Sequence, residues 1–360
     1  MEPKLARLDA LLDDRDLAAV WFGRPNTFAW LVGGDTRVDG TAAVGVAAVG
    51  YDGDELTVVT NTIEAPRLRA EELPDDVTVE SADWYAGDLG EAVAERSSTP
   101  AAADFDVPGF ESVDAGELRQ PLVDADIAAY RELGRDTAAA VESVCRELEP
   151  GDTERAVAGR LTEALVERSI AAPVVLVGGT ERAQQYRHYT PTDARLGAYA
   201  LVSVTARRAG LHASCTRTVA FDPPSWLDDR HATAARVETS ALAATREIGQ
   251  EGGVASDVFE RVQDAYATLD RPEEWREHHQ GGAAGYAGRE WIATPTLDAS
   301  VRLPMGYAWN PTVQGAKSEG TVLVTDEGFE PLTTTGEWPT RTVTAIGTDI
   351  ELERPEILQR

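Results

Sequence analysis

The arrangement of apolar segments changes near residue 120, and this change constrains the fold more than any other feature of the chain. Before it, short apolar strands such as residues 18–22 and 28–32 alternate with short helical segments, which is typical of a small α/β domain. After it come paired helices, long alternating strands, paired helices and strands again, an order that indicates an α+β domain with a curved antiparallel sheet. We therefore predict two domains, residues 1–118 and 119–360, with a Pro-, Ala- and Ser-rich linker at residues 97–108.

The chain is strongly acidic, and almost all of its basic residues are arginine. Its 360 residues carry 62 Asp and Glu against 33 Lys and Arg, a formal net charge of −29. Such a surface repels phosphate backbones, so we expect no nucleic-acid partner. The excess of acidic residues with almost no lysine resembles proteins of salt-accumulating archaea, where molar salt shortens the screening length to about 3 Å. We expect a halophilic protein.

Lys317 stands out in a chain that otherwise avoids lysine. Lys4 is the only other lysine. One interpretation is that this position needs a compact ammonium rather than the broader guanidinium fork; the alternative is a chance surface lysine.

Cysteine content and hydropathy indicate the cellular compartment in which we expect the protein. Cys145 and Cys215 are the only cysteines, too few for a disulfide framework or a zinc site of paired cysteines. No apolar run approaches the ~18 residues of a membrane span, and the first residues lack the apolar stretch of a signal peptide. We expect a cytoplasmic protein that does not bind membranes.

The residues that can carry chemistry concentrate in the second domain. All five histidines follow residue 187. Four of them lie in polar segments, QQYRHYTP, GLHASCTRTV and EHHQGGAAGYAGREW, of which the last two contain glycine. The segment WNPTVQGAKSEGT adds Lys317 and Glu319. The remaining histidine, His231, lies in a predicted helix, and we expect it at the surface.

Two of the predicted strands, residues 200–205 and 211–221, are separated by a short turn and can form a hairpin. Side chains alternate between the two faces of a strand. In a hairpin of these strands, Ser203 and Ser214 face the same side and form a neutral, hydroxyl-lined floor, whereas Arg217 points to the other side.

Taken together, these segments resemble the pita-bread hydrolases, the family of Xaa-Pro aminopeptidase, prolidase, methionine aminopeptidase and creatinase. The shared order is a histidine, a hairpin ending in TRT, helices, a Gly-rich histidine segment, a Pro-containing strand and a final Glu-containing strand. The resemblance covers essentially the whole chain and implies an α+β fold. Residues 1–118 resemble a creatinase-like α/β domain, and residues 119–360 an aminopeptidase P-like pita-bread domain, a curved antiparallel sheet covered by helices.

The resemblance also implies a metal site that this chain has largely lost. Metallopeptidases of the family hold two divalent ions with Asp, Asp, His, Glu and Glu. Those positions fall here on Ser203, Ser214, Gly282, Asn310 and Glu319. Hydroxyls and an amide are poor substitutes for bridging carboxylates, and glycine offers no side chain. We expect no dinuclear metal centre and no cofactor. A single-ion site stays open as an alternative, built from His188, His278, His279 and Glu290.

What remains at the matched positions implies acid–base chemistry. His188 and His278 fall on pocket histidines of the family, and in creatinase, a metal-free relative, such a histidine is the acid–base. The residues expected to be catalytic are His188, His278, Glu290 and Glu319. The residues expected to bind substrate are Ser203, His212, Ser214, His279, Arg289, Asn310 and Lys317.

Two charged pairs within these sets have alternative interpretations. Arg289 is suited to clamp a substrate carboxylate in bidentate fashion, and Glu319 to pair with a substrate cation or with Lys317, two residues away on the same face. Alternatively, Arg289 with Glu290 and Lys317 with Glu319 form salt bridges around a polar cavity.

The residues and the resemblance together predict an enzyme, a metal-independent hydrolase that cleaves a C–N bond of a small polar molecule or short peptide. One alternative is a non-catalytic pseudo-peptidase that binds a small ligand or a partner. Another is a Xaa-Pro-type metalloaminopeptidase with an atypical site. A serine hydrolase is disfavoured, because neither Ser203 nor Ser214 lies in a GxSxG turn. Relatives are often dimers, which implies a homodimer.

Overall fold

The computed structural model describes all 360 residues and divides them into two units, Met1–Gln120 and Pro121–Arg360. This division lies two residues beyond the predicted boundary. No helix in either unit combines the length and apolarity that crossing a bilayer requires.

The first unit contains a six-stranded mixed sheet and four helices. The helices are Glu2–Arg15 (α1), Pro25–Val32 (α2), Ala65–Arg67 (α3) and Leu89–Ala94 (α4). The strands are Ala19–Phe22 (β1), Ala47–Tyr51 (β2), Leu56–Asn61 (β3), Thr78–Ala82 (β4), Ala101–Ala103 (β5) and Glu111–Ser112 (β6). Their order in the sheet is β4-β3-β2-β1-β5-β6, with antiparallel pairing on both sides of β2 and parallel pairing elsewhere.

Two predictions for this unit are wrong. Residues 28–32 form part of α2 rather than a strand, because Pro25 starts the helix and nearly all of its residues are buried. A short apolar run without alternation does not distinguish a buried helix from a strand. The predicted linker contains β5, whose three buried alanines pair with β1; small side chains suit a crowded sheet centre as well as a linker.

The second unit places helices against an extended set of mainly antiparallel strands; only β18 and β9 pair in parallel. Its helices are Asp124–Arg146 (α5), Glu154–Val166 (α6), Thr180–Gln185 (α7), Leu227–Glu251 (α8) and Ala255–Thr268 (α9). Its first strands are Ala171–Gly179 (β7), Tyr199–Arg208 (β8), Leu211–Ala220 (β9), Gly281–Ala284 (β10), Met305–Trp309 (β11) and Thr312–Val313 (β12). The others are Ala316–Lys317 (β13), Val322–Val324 (β14), Phe329–Pro331 (β15), Thr340–Thr344 (β16), Glu351–Pro355 (β17) and Leu358–Gln359 (β18).

The predicted hairpin is confirmed as β8 and β9, which pair along their full length. Ala209 and Gly210 form its two-residue turn, and both have positive φ, as a turn that matches the strand twist requires. The register sets Ser203 opposite Thr216 and Thr205 opposite Ser214, so one face of the hairpin carries the row of hydroxyls.

The opposite face of the hairpin packs on α5. Arg217 points to that side, as predicted, and its Nη2 lies 2.6 Å from Glu142 Oε1 of α5, with both side chains essentially inaccessible to solvent. The Glu142 carboxylate also accepts a hydrogen bond from the Thr335 hydroxyl. A buried pair of this kind leaves no charge unpartnered, so Arg217 belongs to the packing of the fold.

This unit has two four-stranded sheets, ordered β18-β9-β8-β7 and β10-β11-β14-β15, and backbone hydrogen bonds join β9 of the first to segments that flank the strands of the second. Thr216 N donates to Glu319 O at 3.1 Å, and His212 N donates to Gly285 O at 2.8 Å. Strand β9 therefore lies beside both the segment that carries Glu319 and the Gly-rich segment, which brings distant parts of the sequence to the hydroxyl face.

Candidate active site

A cavity of about 600 Å³ opens over the hydroxyl face of the hairpin. Eight of the eleven predicted site residues line it: His188, Ser203, His212, His279, Arg289, Asn310, Lys317 and Glu319. Its remaining lining is mainly apolar, from Pro173, Val174, Leu176, Val204 and Ile292, with Thr190, Thr205 and Gly288. The cavity therefore has a polar wall and an apolar wall.

The floor is a network of hydroxyl groups, as the hairpin prediction required. Ser203 Oγ lies 2.8 Å from Thr216 Oγ1, and Thr205 Oγ1 lies 3.2 Å from Ser214 Oγ. The Tyr189 hydroxyl adds a contact of 3.3 Å to Ser203 Oγ. These groups satisfy one another, so the floor adds polarity without charge.

Three charged side chains meet above this floor, and we call Arg289, Lys317 and Glu319 the charged cluster. Lys317 Nζ lies 2.8 Å from Glu319 Oε2, and Arg289 Nη2 lies 3.0 Å from Glu319 Oε1. Thr216 Oγ1 donates a further hydrogen bond to Oε2 at 2.7 Å. All three charged side chains are largely buried, at 12%, 5% and 6% exposure. Of the two partners left open for Glu319, Lys317 is the one that its carboxylate contacts here.

The charged cluster keeps Glu319 ionised. Burial raises the pKa of this carboxyl, but the neighbouring Lys317 ammonium and Arg289 guanidinium outweigh that effect and lower the pKa to about 2. Two cations against one anion leave one net positive charge among the residues that line the cavity. Such a wall attracts an anionic group and repels added cations.

Three histidines meet at one side of the cavity, and we call His188, His278 and His279 the histidine cluster. His188 Nε2 lies 3.1 Å from His278 Nε2, and the His278 and His279 rings stack with centroids 4.3 Å apart. One ring nitrogen from each of the three lies within 4.8 Å of the others. His278 is buried behind the other two, which line the cavity.

The histidine cluster is neutral at pH 7. Burial and the Lys317 charge lower the pKa of His188 below its ordinary value, and the same two causes, with the neighbouring imidazoles, lower that of His278 to about 2. Burial and the charges of Arg289 and Lys317 lower the pKa of His279 to about 4. Neutral imidazoles have a nitrogen lone pair available, which can accept a proton or bind a metal ion.

Three predicted site residues lie outside the cavity lining: Ser214, His278 and Glu290. Ser214 and His278 contact residues that do line it, since Ser214 Oγ accepts from Arg289 Nη1 at 3.0 Å and His278 contacts His188. Glu290 is held differently, because its Oε1 accepts from the backbone N–H of Ala287 at 3.0 Å. Its expected catalytic role gains no support from this position.

His231 is also not where the sequence suggested. It is 3% exposed within α8, so the prediction of a surface histidine is wrong. The reason is that α8 is buried over most of its length, which its mixed sequence does not reveal. Burial lowers the pKa of His231 to about 4, and it does not line the cavity.

Sequence reasoning missed Thr216 and the apolar wall. Thr216 shares the strand face of Ser214, and this alternation was a usable signal, but its bond to Glu319 depends on the join between β9 and a segment about one hundred residues later. Likewise, Val174 and Leu176 on β7 join Ile292 in the wall only through the tertiary fold.

The five positions matched to the family's metal ligands do not fit a pair of divalent ions. Gly282 is the clearest case: a Cβ added there would lie 2.2 Å from the Trp291 carbonyl oxygen and 2.7 Å from its ring. The chain beside β10 causes this crowding, since Glu290 N donates to Ala283 O and Ala293 N donates to Gly281 O. Trp291 thus occupies the space that a histidine side chain at position 282 would need.

The other four positions offer a single anion. Ser203 and Ser214 are neutral and hydrogen-bonded, and the buried Asn310 Oδ1 has no hydrogen-bond partner. Glu319 is the only carboxylate of the five, and both of its oxygens already contact cations. Two divalent ions need several oxygen anions to offset their charge, which this set does not provide.

Comparison with known sequences identifies the family. The model of metallopeptidase family M24 matches residues 128–326, more than half of the chain. The probable dipeptidase PepE of Mycobacterium tuberculosis is 26% identical over 224 residues, which cover 59% of this chain and 58% of that protein. The chain therefore matches little more than half the length of this curated relative.

Solved structures share the fold across nearly the whole chain. The Xaa-Pro dipeptidase from Bacillus anthracis matches with a TM-score of 0.72 at 15% identity, covering 99% of both chains. Dipeptidase PepE from Mycobacterium ulcerans matches with a TM-score of 0.71 at 22% identity, covering 92% of this chain and 95% of that one. The N-terminal domain of the FACT complex subunit SPT16 from chickpea matches with a TM-score of 0.66 at 13% identity, covering 93% and 97%. The chain has the two-domain pita-bread fold and belongs to metallopeptidase family M24.

Proposed function

We propose that this protein is a hydrolase that cleaves a C–N bond of a small, negatively charged substrate without the pair of metal ions that its family resemblance implies. The observation that carries the proposal is the ion pairing of Glu319, the one carboxylate at a matched ligand position, with both Lys317 and Arg289. A divalent ion at this carboxylate would have to displace buried cations. The charged cluster is better suited to receive an anion.

His188 is the proposed acid–base. It lines the cavity, and its Nε2 lies 3.1 Å from His278 Nε2, so His278 can orient it or share its proton. Because its pKa is lowered, the imidazole is neutral at pH 7 and can take a proton from a water molecule that attacks the scissile carbonyl carbon. The same proton then passes to the leaving nitrogen as the C–N bond breaks.

The charged cluster supplies the electrostatic part of the proposed reaction. Negative charge develops on the carbonyl oxygen when water attacks, and fixed positive groups in a cavity of low dielectric stabilise it. Lys317 and Arg289 are such groups, and their contacts with Glu319 hold them in place without a metal ion. The Glu319 carboxylate, with its lowered pKa, is a weak base and acts here by positioning these two cations.

The size and polarity of the cavity favour a short peptide or a similar small molecule. About 600 Å³ accommodates a ligand of a few residues at most. The apolar wall of Val174, Leu176 and Ile292 would contact an apolar side chain, while the substrate carboxylate faces the cations. The Mycobacterium relative, a probable dipeptidase, agrees with a substrate of this size.

A panel of dipeptides and small amides, assayed in molar KCl with a chelator present, tests the proposal. We expect turnover that survives chelation and that His188→Gln lowers in kcat by about 10²–10⁴-fold. Because the pKa of His188 lies below its ordinary value, turnover should decrease on the acid side only below pH ~6.5. Thr190→Ala, in the same cavity wall, is the matched control and should keep its kcat. Turnover that requires added divalent ions would contradict the proposal.

A non-catalytic binding protein is the second candidate. The complete pairing of the charged cluster suits ligand capture as well as catalysis, and the fold also occurs in a subunit of the FACT complex. This candidate predicts that a dipeptide or another small anion binds and is recovered unchanged over the whole panel, with binding lost in Arg289→Met and retained in His188→Gln.

A further inference from the structure

We propose that the histidine cluster binds one transition-metal ion, of the Zn²⁺, Co²⁺ or Cu²⁺ type, at a position separate from the residues matched to the family's dinuclear centre. The ligands are a nitrogen from each of His188, His278 and His279, which lie within 4.8 Å of one another. The fourth position faces the cavity, which two of the three histidines line.

The distances suit a tetrahedral ion after small side-chain movements. A metal–nitrogen bond of about 2.1 Å places two ligand nitrogens roughly 3.4 Å apart in tetrahedral geometry. The His188 and His278 nitrogens, 3.1 Å apart, are already near that spacing. The third nitrogen lies within 4.8 Å of the other two and must move closer, which we expect to occur by rotation of its side chain.

Hydrogen bonding leaves the inner histidine able to act as a ligand. Two imidazole nitrogens in contact need one N–H donor and one acceptor, so the His188–His278 contact uses a single proton. The buried Nδ1 of His278 has no hydrogen-bond partner that would lock the ring in one tautomer. His278 is 8% exposed, and a metal ion bound at its Nε2 would take the place of the contact with His188 Nε2.

Charge selects the kind of ion. Nitrogen ligands bind Zn²⁺, Co²⁺, Ni²⁺ and Cu²⁺, whereas Mg²⁺ and Ca²⁺ require oxygen ligands. Lys317 and Arg289 line the same cavity and repel any cation nearby. Mg²⁺ and Ca²⁺, which depend on carboxylate ligands, are therefore excluded. The affinity for Zn²⁺ should be lower than that of a histidine site with a carboxylate nearby.

Metal binding at the histidine cluster does not require the proposed hydrolase activity, but it would affect that activity. A metal ion at the histidine cluster takes the lone pair of His188 that the proposed acid–base step needs. Where the enzyme is active, Zn²⁺ should therefore inhibit it, whereas a metallopeptidase would be activated. Direct measurement of binding separates the two proposals, because it requires no substrate.

Titration of chelator-stripped protein, purified without a polyhistidine tag, tests the site. We expect one Zn²⁺ per chain by calorimetry, the visible absorption of tetrahedral Co²⁺, and no binding of Mg²⁺. His278→Gln and His279→Gln should each weaken Zn²⁺ binding at least about tenfold, as loss of one ligand of three implies. His212→Gln, a cavity histidine outside the cluster, should bind as the wild type does.

Circular dichroism of each variant checks that it folds, and the wild-type stoichiometry stands without any variant. Failure of the wild type to bind Zn²⁺ would overturn the proposal. So would binding that persists in both folded cluster variants, or two ions per chain. None of these results would contradict the hydrolase proposal unless the bound ions also restored turnover.

Discussion

The charged cluster and the histidine cluster share one cavity but are built in opposite ways. In the first, Lys317 and Arg289 each contact Glu319, and Thr216 adds a hydrogen bond. In the second, the imidazoles contact mainly one another, and Nδ1 of His278 has no partner. The charged side chains of the first cluster are paired with one another and keep one net positive charge, whereas the histidine cluster keeps lone pairs available. We infer that fixed cations have taken over the charge-stabilising role and that the histidines carry the chemistry.

The largest expected effect comes from removing the anion of the charged cluster. Glu319→Gln leaves Lys317 and Arg289 buried beside each other without a counter-charge. Breaking a buried ion pair from one side costs about 3–5 kcal/mol, and we expect this loss in the free energy of unfolding, measured by denaturant titration in molar KCl. Glu330→Gln, which removes an exposed pair with Arg131, is the control and should cost less than about 1 kcal/mol.

A second variant separates charge from packing in this result. Adding Lys317→Met to Glu319→Gln removes one of the stranded cations, so the double variant should regain part of the lost stability. A double variant that is no more stable than Glu319→Gln would contradict the electrostatic account and indicate that the single substitution acts through packing.

The next largest effect on stability comes from filling the space at Gly282, the position matched to the family's metal-binding histidine. Gly282→Ala places a Cβ against the Trp291 carbonyl and ring, and overpacking of this kind costs about 1–3 kcal/mol. Gly288→Ala is the matched control, because its Cβ would meet only ordinary contacts, the nearest at 3.7 Å. Thermal unfolding of the two variants gives the comparison. Equal stability of both variants would mean that Trp291 moves easily and that a histidine ligand is sterically possible.

The smallest effect is a difference in pH dependence between the two clusters. The folded state holds the pKa of His278 near 2, below its unfolded value of about 6.5, so the unfolded state binds the extra proton first. Stability is therefore lost as the pH falls below about 6.5, by roughly 1 kcal/mol per pH unit. Glu319 affects the pH dependence of stability only below about pH 4.5, where its carboxylate becomes protonated in the unfolded state.

Unfolding free energies of wild type and His278→Gln between pH 6.5 and 4.5 measure this difference. The variant should show a shallower slope, whereas Glu319→Gln should keep the wild-type slope in this range. His231 contributes a slope of the same sign in every variant and cancels in the comparison. An unchanged slope in His278→Gln would show that this imidazole is protonated in the folded state.

Local pattern and family resemblance predicted the elements that depend on neighbouring residues. The hairpin and its hydroxyl face follow from strand alternation within a few residues, and Lys317, one of the two partners left open for Glu319, lies two residues from it in the sequence. The partner of Arg289 did not follow: the sequence suggested Glu290, but the guanidinium reaches Glu319, thirty residues away. That contact requires the join between the sheets, which no local pattern contains.

Helix α2 and strand β5 show a second limit of the sequence. Both are short and apolar, and burial on all sides removes the periodicity that distinguishes a helix from a strand. The homodimer, the cytoplasmic location, the halophilic character and the absence of nucleic-acid or membrane partners stay predictions.

The central claim is that this cavity does not hold the family's pair of metal ions. Anomalous diffraction from crystals grown with millimolar Mn²⁺ or Co²⁺ tests it most directly, because it locates each ion among the side chains. We predict no ion beside Ser203, Ser214 and Glu319, and Co²⁺ only at the histidine cluster. Two ions bridged by the Glu319 carboxylate, with Lys317 and Arg289 displaced, would contradict the account.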